Sequence, residues 1–424
     1  MVEPAGRTLP DHVDPRHVVH FDPVTSAEIT AFPPAAFDAL RRPHPVFYSP
    51  LYGGFWVMTR YEDIAEAFKD DAHFGQWSAG IPPVPYAHAQ IPLGLDRPEH
   101  TPWRRLLMPF FTPGRAKLLE PVLRVVARDK VASFVERGEC EIYADYAIPL
   151  AAAAFGIQMG MSADLFPALK SLAHDVAYGS AKVANERGVA EASAFRRAAT
   201  DKLDAILSDI VPQRRRNPGN DLVSALIEAR LEVAEGESRP LTDAEITGAC
   251  ELLFRAGTDS TASMISYCFL HLAANPEQRA QILAGPHEQL RAVNELMRYN
   301  SFHLVPRVVR SDVRVGEVTM KKDDLVILAT GAAGRDPEEF DGAGSVDLHR
   351  ARNQHLAFGA GVHRCLGAHQ ARVEIVVAVE EFHRLIPGYG LDVETPISYV
   401  AATSKARPNA VPLVLAHSSV AAAG

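Results

Sequence analysis

Cys365 lies in the run Phe358-Gly359-Ala360-Gly361-Val362-His363-Arg364-Cys365-Leu366-Gly367, where an irregular stretch gives way to a helical pattern. The glycines at 359, 361 and 367 let the backbone approach a flat ligand and take positive φ angles. Free N–H groups at a helix N-terminus favour a thiolate over a thiol. A thiolate held this way can act as a catalytic nucleophile or as an axial metal ligand. A buried, inert cysteine is the commoner fate of a lone thiol, but this neighbourhood argues against it.

Three other clusters place polar side chains at helical spacing. In Asp96-Arg97-Pro98-Glu99-His100-Thr101-Pro102-Trp103-Arg104, His100 and Arg104 are four apart and face one side of a helix. Glu295 and Arg298, in Glu295-Leu296-Met297-Arg298, form an i, i+3 acid–base pair. On a solvated face such a pair contributes only roughly 0.2–0.5 kcal/mol. The third cluster, Ala256-Gly257-Thr258-Asp259-Ser260-Thr261, puts a glycine and several hydroxylic residues in mid-helix, where their propensity is poor. That composition suits a close helix–helix crossing, or a local widening in which an acid and an alcohol relay protons.

The elements that must position these groups are mostly helical. Thr242 is a good N-cap, with Glu245 at capping-box spacing. The helix that starts there is expected to run to about Ala274, where Asn275-Pro276 ends it. At roughly thirty residues it spans about 45 Å. Helical periodicity covers most of Thr101 to Ile282, with breaks expected at Gly179–Gly188 and Pro212–Asn220 and a charged connector over Glu232–Pro240. A helix is expected at Tyr61–Phe68 and another from about Leu366 to Leu385. Strand-like runs occur at Phe47–Tyr48 and Gly54–Met58, and alternation at Arg307–Val318 and Asp324–Leu328 suggests a small sheet. Gly80 to Pro98 reads as a long loop of the kind that often serves as a lid, and Gly331 to His355 as irregular. The expected organisation is a flexible arm over 1–20, one domain over 21–416 and a flexible tail over 417–424.

Composition narrows the class of protein. The 424 residues are 47% hydrophobic and carry a net charge of −9, which disfavours non-specific nucleic-acid binding. Cys140, Cys250, Cys268 and Cys365 show no paired CxxC spacing, a poor disulfide framework that points to a reducing, cytoplasmic location. No run of about 18 apolar residues predicts a membrane span, and the first fifteen residues lack the pattern of a secretory signal.

Taken together, the motifs resemble those of the cytochrome P450 family over about residues 40 to 415. The cysteine loop fills every defining position of F-x-x-G-x-H/R-x-C-x-G. Glu295 and Arg298 match E-x-x-R, and Arg350 fits the arginine that joins that pair. Gly334-Arg335-Asp336-Pro337-Glu338-Glu339-Phe340 is like N-R-D-P-x-x-F with glycine for asparagine. The resemblance implies the mainly α cytochrome P450 fold with small β-sheets. It also implies heme b (iron protoporphyrin IX) with Cys365 as the proximal iron ligand, whose thiolate favours O–O cleavage. His100, Arg104, Arg307 and His363 then take the heme-propionate positions, Phe358 packs beside the sulfur, and Gly367 completes the loop. On the family pattern A-G-x-D/E-T, Asp259 is the acid and Ser260 stands where threonine is usual. Serine keeps the hydroxyl but loses the methyl that limits its rotamers, so looser coupling of oxygen use to product is expected.

The implied reaction inserts one atom of dioxygen into a small hydrophobic or aromatic substrate, by hydroxylation or O-dealkylation. The expected pocket walls are Leu252, Ala256, Val305 and the Gly80–Leu95 loop. Arg255, one turn before Asp259, is a candidate for pairing with a substrate carboxylate or other polar group, with an i, i+4 pair to Asp259 as the alternative. His303 reads as structural. No flavin or iron–sulfur motif is present, so electrons are expected from a ferredoxin drawn to Arg104, Arg105, Lys117, Arg364 and Arg372. A peroxide-driven peroxygenase and a non-catalytic heme sensor are the competing readings.

Overall fold

Helices form where apolar residues recur at helical spacing. The computed structural model describes residues 9–77, 80–81, 90–175, 189–282, 285–402 and 404–416, together with 179, 183 and 187. Its main helices are α1 (Tyr61–Lys69), α2 (His100–Leu107), α3 (Pro113–Ala132), α4 (Ile148–Gln158), α5 (Val189–Arg216), α6 (Asp243–Ala274), α7 (Pro286–Tyr299) and α8 (Ala368–Leu385). The capping box on α6 is present: the Thr242 hydroxyl accepts from the Glu245 amide, and the Glu245 carboxylate accepts from the Thr242 amide at 2.9 Å. Its 32 residues make α6 about 48 Å long, and most of them are buried, so it runs through the core. The helix after the cysteine is fixed from below, because Arg124 and Arg128 of α3 both donate to Glu381 of α8.

The strands are β1 (Val46–Ser49), β2 (Phe55–Met58), β3 (Phe74–Gln76), β4 (Glu139–Glu141), β5 (Arg230–Ala234), β6 (Glu237–Pro240), β7 (Leu304–Val309), β8 (Val313–Val315), β9 (Val318–Met320), β10 (Leu325–Ala329), β11 (Tyr389–Leu391), β12 (Tyr399–Ala402), β13 (Lys405–Pro408) and β14 (Pro412–Leu415). The largest sheet has the order β1-β2-β10-β7-β3. In it Arg307 on β7 pairs in register with Val326 of β10 and Gln76 of β3. Every residue of β1 and β2 is buried, in keeping with their largely apolar runs, and the one hydroxyl at the end of β1, Ser49, donates to the Phe21 carbonyl.

Three expectations need correction. Residues 9–20 were expected within a loose arm, yet Val13 is buried, His12 meets Asp324 at 2.9 Å and Val18 bridges Tyr48; residues 1–8 and 417–424 lie outside the described ones. Pro212 does not break its helix, for α5 continues to Arg216. Pro212 and Ser208, whose carbonyl loses its helical partner, are both exposed, so water can satisfy that carbonyl. The charged stretch 230–240 is the β5–β6 hairpin, turned at Gly236 with φ 75°. The break expected at Gly179–Gly188 lies largely outside the described residues, and so does half of the Gly80–Leu95 loop, residues 82–89.

Candidate functional site

The cysteine loop is a tight hairpin pressed against α1. The Cys365 amide donates to the Phe358 carbonyl at 2.8 Å. Gly361 has φ +67°, and a Cβ there would meet the Phe68 carbonyl oxygen at 2.1 Å, so only glycine lets the two backbones close. Cys365 is exposed by surface area while burial raises its thiol above the usual range. Both hold at once for a sulfur on the floor of a concave site. The Gly367 N–H and the positive charges of Arg104, Arg364 and Arg372 oppose that rise without reversing it. The predicted thiolate-stabilising groups are therefore in place, but desolvation outweighs them.

Around the loop stands a group of bases brought from three elements. His100 on α2 is buried, and its ring lies 4.1 Å from that of His363. One turn later, Arg104 donates to the Arg364 carbonyl at 2.5 Å. Arg307 on β7 lies with its guanidinium 5.5 Å from the Phe68 ring centre. Burial pushes Arg307 down to about 10, opposed by Asp96, and pushes His363 down to about 3, assisted by His100, Arg307 and Arg104. Burial, then Arg104, also lowers His100. Among the described residues Arg307 makes no ion pair, and the buried Nε2 of His363 has no hydrogen-bond partner. Phe358 is half-buried, with the Arg372 guanidinium 4.5 Å from its ring centre.

Behind the loop, the Glu295–Arg298 pair is fully buried and far from an ordinary surface pair. Glu295 accepts from Arg298 Nε and Nη2, Arg350 Nε, Asn353 Nδ2 and the Asp347 amide, at 2.7 to 3.0 Å. Arg298 also donates to the carbonyls of Gly334, Ala343 and Ser345. Arg350 thus joins the pair, as the resemblance implied. Asn353 does so too, and nothing in its sequence context marked it.

On α6, Ala256 and Gly257 are exposed and Ser260 is half-exposed, although the helix around them is buried. Leu252 is buried one turn earlier on that face. Val305 and Arg307 share one face of β7, two residues apart, with Val305 half-buried. Asp259 points elsewhere. It is buried, accepts from the Tyr143 hydroxyl at 2.8 Å and pairs with Lys405 of β13 at 2.5 Å. Burial pushes its carboxyl up, but Lys405, Arg407 and these hydrogen bonds outweigh that and hold it below the usual range. Ser260 Oγ lies 3.5 Å from Nε2 of His303. Arg255 pairs with Glu251 at 2.5 Å and donates to Gln90, so its i, i+4 partner is Glu251 and not Asp259.

A family model for cytochrome P450 matches residues 186–284 and 290–383. Probable cytochrome P450 127A1 of Sinorhizobium fredii (strain NBRC 101917 / NGR234) is 32% identical over 403 residues, 92% of this chain and 93% of that protein. The chain belongs to the cytochrome P450 family. The mycinamicin IV hydroxylase/epoxidase of Micromonospora griseorubida is also 32% identical, over 92% of this chain and the whole of that protein. Among solved structures, cytochrome P450 CYP101C1 superposes with a TM-score of 0.84 at 27% identity, covering 96% of this chain and all of that one.

Membership makes the protein an oxidoreductase of the cytochrome P450 monooxygenase family with a heme-iron cofactor, in the mainly α P450 fold. The residues present fit that group. A flat ligand carrying two carboxylates supplies what the buried Arg307 and the His363 Nε2 lack among the described residues. The glycine loop brings its backbone close and presents the sulfur, and Ala256 and Gly257 leave an open stretch on an otherwise buried helix. Among the described residues, no helix of this P450 is long and apolar enough to cross a membrane.

Proposed function

We propose that the protein inserts one oxygen atom from dioxygen into a small, neutral hydrophobic or aromatic molecule, by hydroxylation or O-dealkylation. The balance is RH + O₂ + 2e⁻ + 2H⁺ → ROH + H₂O, with both electrons from a separate ferredoxin-type protein. The reading is carried by one juxtaposition: Cys365 on the floor of a concave site, beside a cluster of His100, Arg104, Arg307 and His363 in which, among the described residues, Arg307 makes no ion pair and His363 Nε2 has no hydrogen-bond partner. In it, Cys365 would hold the iron of heme b through its sulfur, and His100, Arg104, Arg307 and His363 would hold the two carboxylates. When bound, the heme supplies dioxygen binding and its two-electron activation.

The remaining chemistry belongs to the chain. The Gly367 N–H and nearby arginines moderate charge on the sulfur, and Phe358 shields it beneath Arg372. Asp259 is held as a carboxylate beside two groups with exchangeable protons, Lys405 and Tyr143. Its neighbour Ser260 lies three and four residues after Gly257 and Ala256, on the helix face that they open, with its hydroxyl 3.5 Å from His303. Protons enter through the first residue and reach the reacting face through the second. Leu252, Ala256 and Val305 form apolar wall for the substrate. Arg255 is engaged by Glu251 and Gln90, so a substrate carboxylate would have to compete with Glu251 for it; this favours an uncharged substrate. Four free cysteines fit a reducing cytoplasm.

The absorption spectrum of the reduced, carbon monoxide-bound protein tests this reading directly. A thiolate-type Soret band is expected, and Cys365→Ser should lose it. A wild-type band of the imidazole-ligated type would sink the assignment of Cys365.

A further inference from the structure

Two neighbouring residues on α6, Asp259 and Ser260, are met from outside the helix by two residues that are themselves bridged. Lys405 pairs with Asp259 at 2.5 Å, and His303 reaches Ser260 at 3.5 Å. The backbones of His303 and Lys405 form an antiparallel β-bridge. The acid and the alcohol are therefore clamped from one shared piece of sheet. The histidine–serine contact is long, as such contacts often are before a substrate closes the site.

A serine inside a helix usually turns its hydroxyl back to the carbonyl four residues earlier. Ser266, on the same helix, does so, donating to the Ala262 carbonyl at 3.0 Å. Ser260 instead meets His303. The ring of His303 is fixed in turn, stacked on Phe302 with centres 4.4 Å apart, and its carbonyl accepts from the Thr330 amide and hydroxyl. Burial and Lys405 push this histidine down to about 4, against Asp259, which keeps it neutral. Either neutral tautomer can hold a serine oxygen.

We infer that His303 is a positioning residue for Ser260, whose imidazole does the work that the methyl group of a threonine would do by restricting the hydroxyl to one rotamer. The inference rests on the reading of Ser260 as the alcohol that delivers protons. It names a specific reason why a serine suffices at this position: the restraint has moved from the residue's own Cβ to a neighbour on the sheet. His303, read from sequence as structural, thereby acts on the chemistry through Ser260 and touches no reacting atom itself.

The test pairs structure with coupling in the heme-loaded enzyme supplied with a ferredoxin-type donor. Crystal structures should show one Ser260 rotamer in the wild type and several in His303→Leu. The share of electrons lost to hydrogen peroxide should rise about threefold to tenfold in His303→Leu, the effect of losing one ordinary hydrogen bond. His303→Gln, which can place an amide near the same point, should retain most of the coupling. The deciding variant is the double substitution His303→Leu with Ser260→Thr, where the added methyl should restore coupling. A merely structural histidine would lower the melting temperature without being rescued by a methyl on residue 260. A single unchanged Ser260 rotamer in His303→Leu, or an unrestored double variant, overturns the inference. If Ser260→Ala leaves coupling intact, the relay reading of Ser260 fails instead, and the rotamer comparison still decides whether His303 positions it.

Discussion

Arg307 shows how a single residue can be legible in sequence and still gain meaning from the structure. Its place on the first strand after the E-x-x-R segment marked it as a base near the cofactor. The fold shows it buried, pushed down to about 10 and without an ion pair among the described residues. A buried cation in that state is poised for an anion. Arg307→Gln is expected to weaken heme retention by about 2–5 kcal/mol, the usual consequence of truncating one side of a buried charge pair. That is roughly thirtyfold or more in the dissociation constant, measurable by heme transfer to an acceptor protein. Retention equal to wild type would mean that Arg307 holds no carboxylate. Cys365, His363 and Phe358 were readable because they stand in one contiguous run, and His100 and Arg104 because they share one helical turn. The contacts Ser260–His303, Asp259–Lys405 and Asp259–Tyr143 were not, since each joins residues far apart in sequence through tertiary packing.

At the scale of elements, local signals succeeded where they had a local cause. The capping box set the start of α6 to the residue, because both of its hydrogen bonds are made within four positions. The β5–β6 hairpin was missed because its strands are short and largely exposed, so their charges mask any alternation. The irregular stretch before the cysteine is the instructive case. Without helix or strand to order 341–353, its backbone is tied to Glu295 and Arg298, which act as its secondary structure. Glu295 takes five donors on two oxygens, and Arg298 takes three carbonyls from the stretch 334–345. Glu295→Gln keeps the shape but offers one acceptor oxygen and no charge. It should cost about 3–5 kcal/mol, as breaking a buried ion pair does. Since domains have only about 5–15 kcal/mol in total, urea unfolding should show a large loss together with reduced heme content. A loss within 1 kcal/mol would show that the cluster is dispensable to the loop.

Over the whole molecule, the charge of −9 opposes the docking of an acidic electron donor, but the distribution matters more than the sum. The five bases named from sequence are not equivalent in the structure. Arg105 pairs with Glu232, and Arg372 is held by Asn294, the Ala368 carbonyl and the Phe358 ring. Arg104 is half-buried, turned toward the cysteine loop. Arg364 and Lys117 are exposed and make no ion pair among the described residues. Arg364 is also the residue next to Cys365, so a partner seated on it lies near the cysteine loop. Its side chain makes no hydrogen bond or ion pair among the described residues, since the contact with Arg104 uses the Arg364 carbonyl, although its charge acts on the sulfur. Arg364→Glu should therefore leave the melting temperature and the affinity for substrate near wild type. It should slow reduction by an acidic ferredoxin about tenfold at low salt, in the range of electrostatic steering. The difference from wild type should shrink as salt shortens the screening length from about 10 Å at 0.1 M to about 3 Å at 1 M. Arg372→Glu would be a poorer probe, since it also strips the cover from Phe358. Reduction rates that match wild type at every ionic strength would place the donor on another face of the protein.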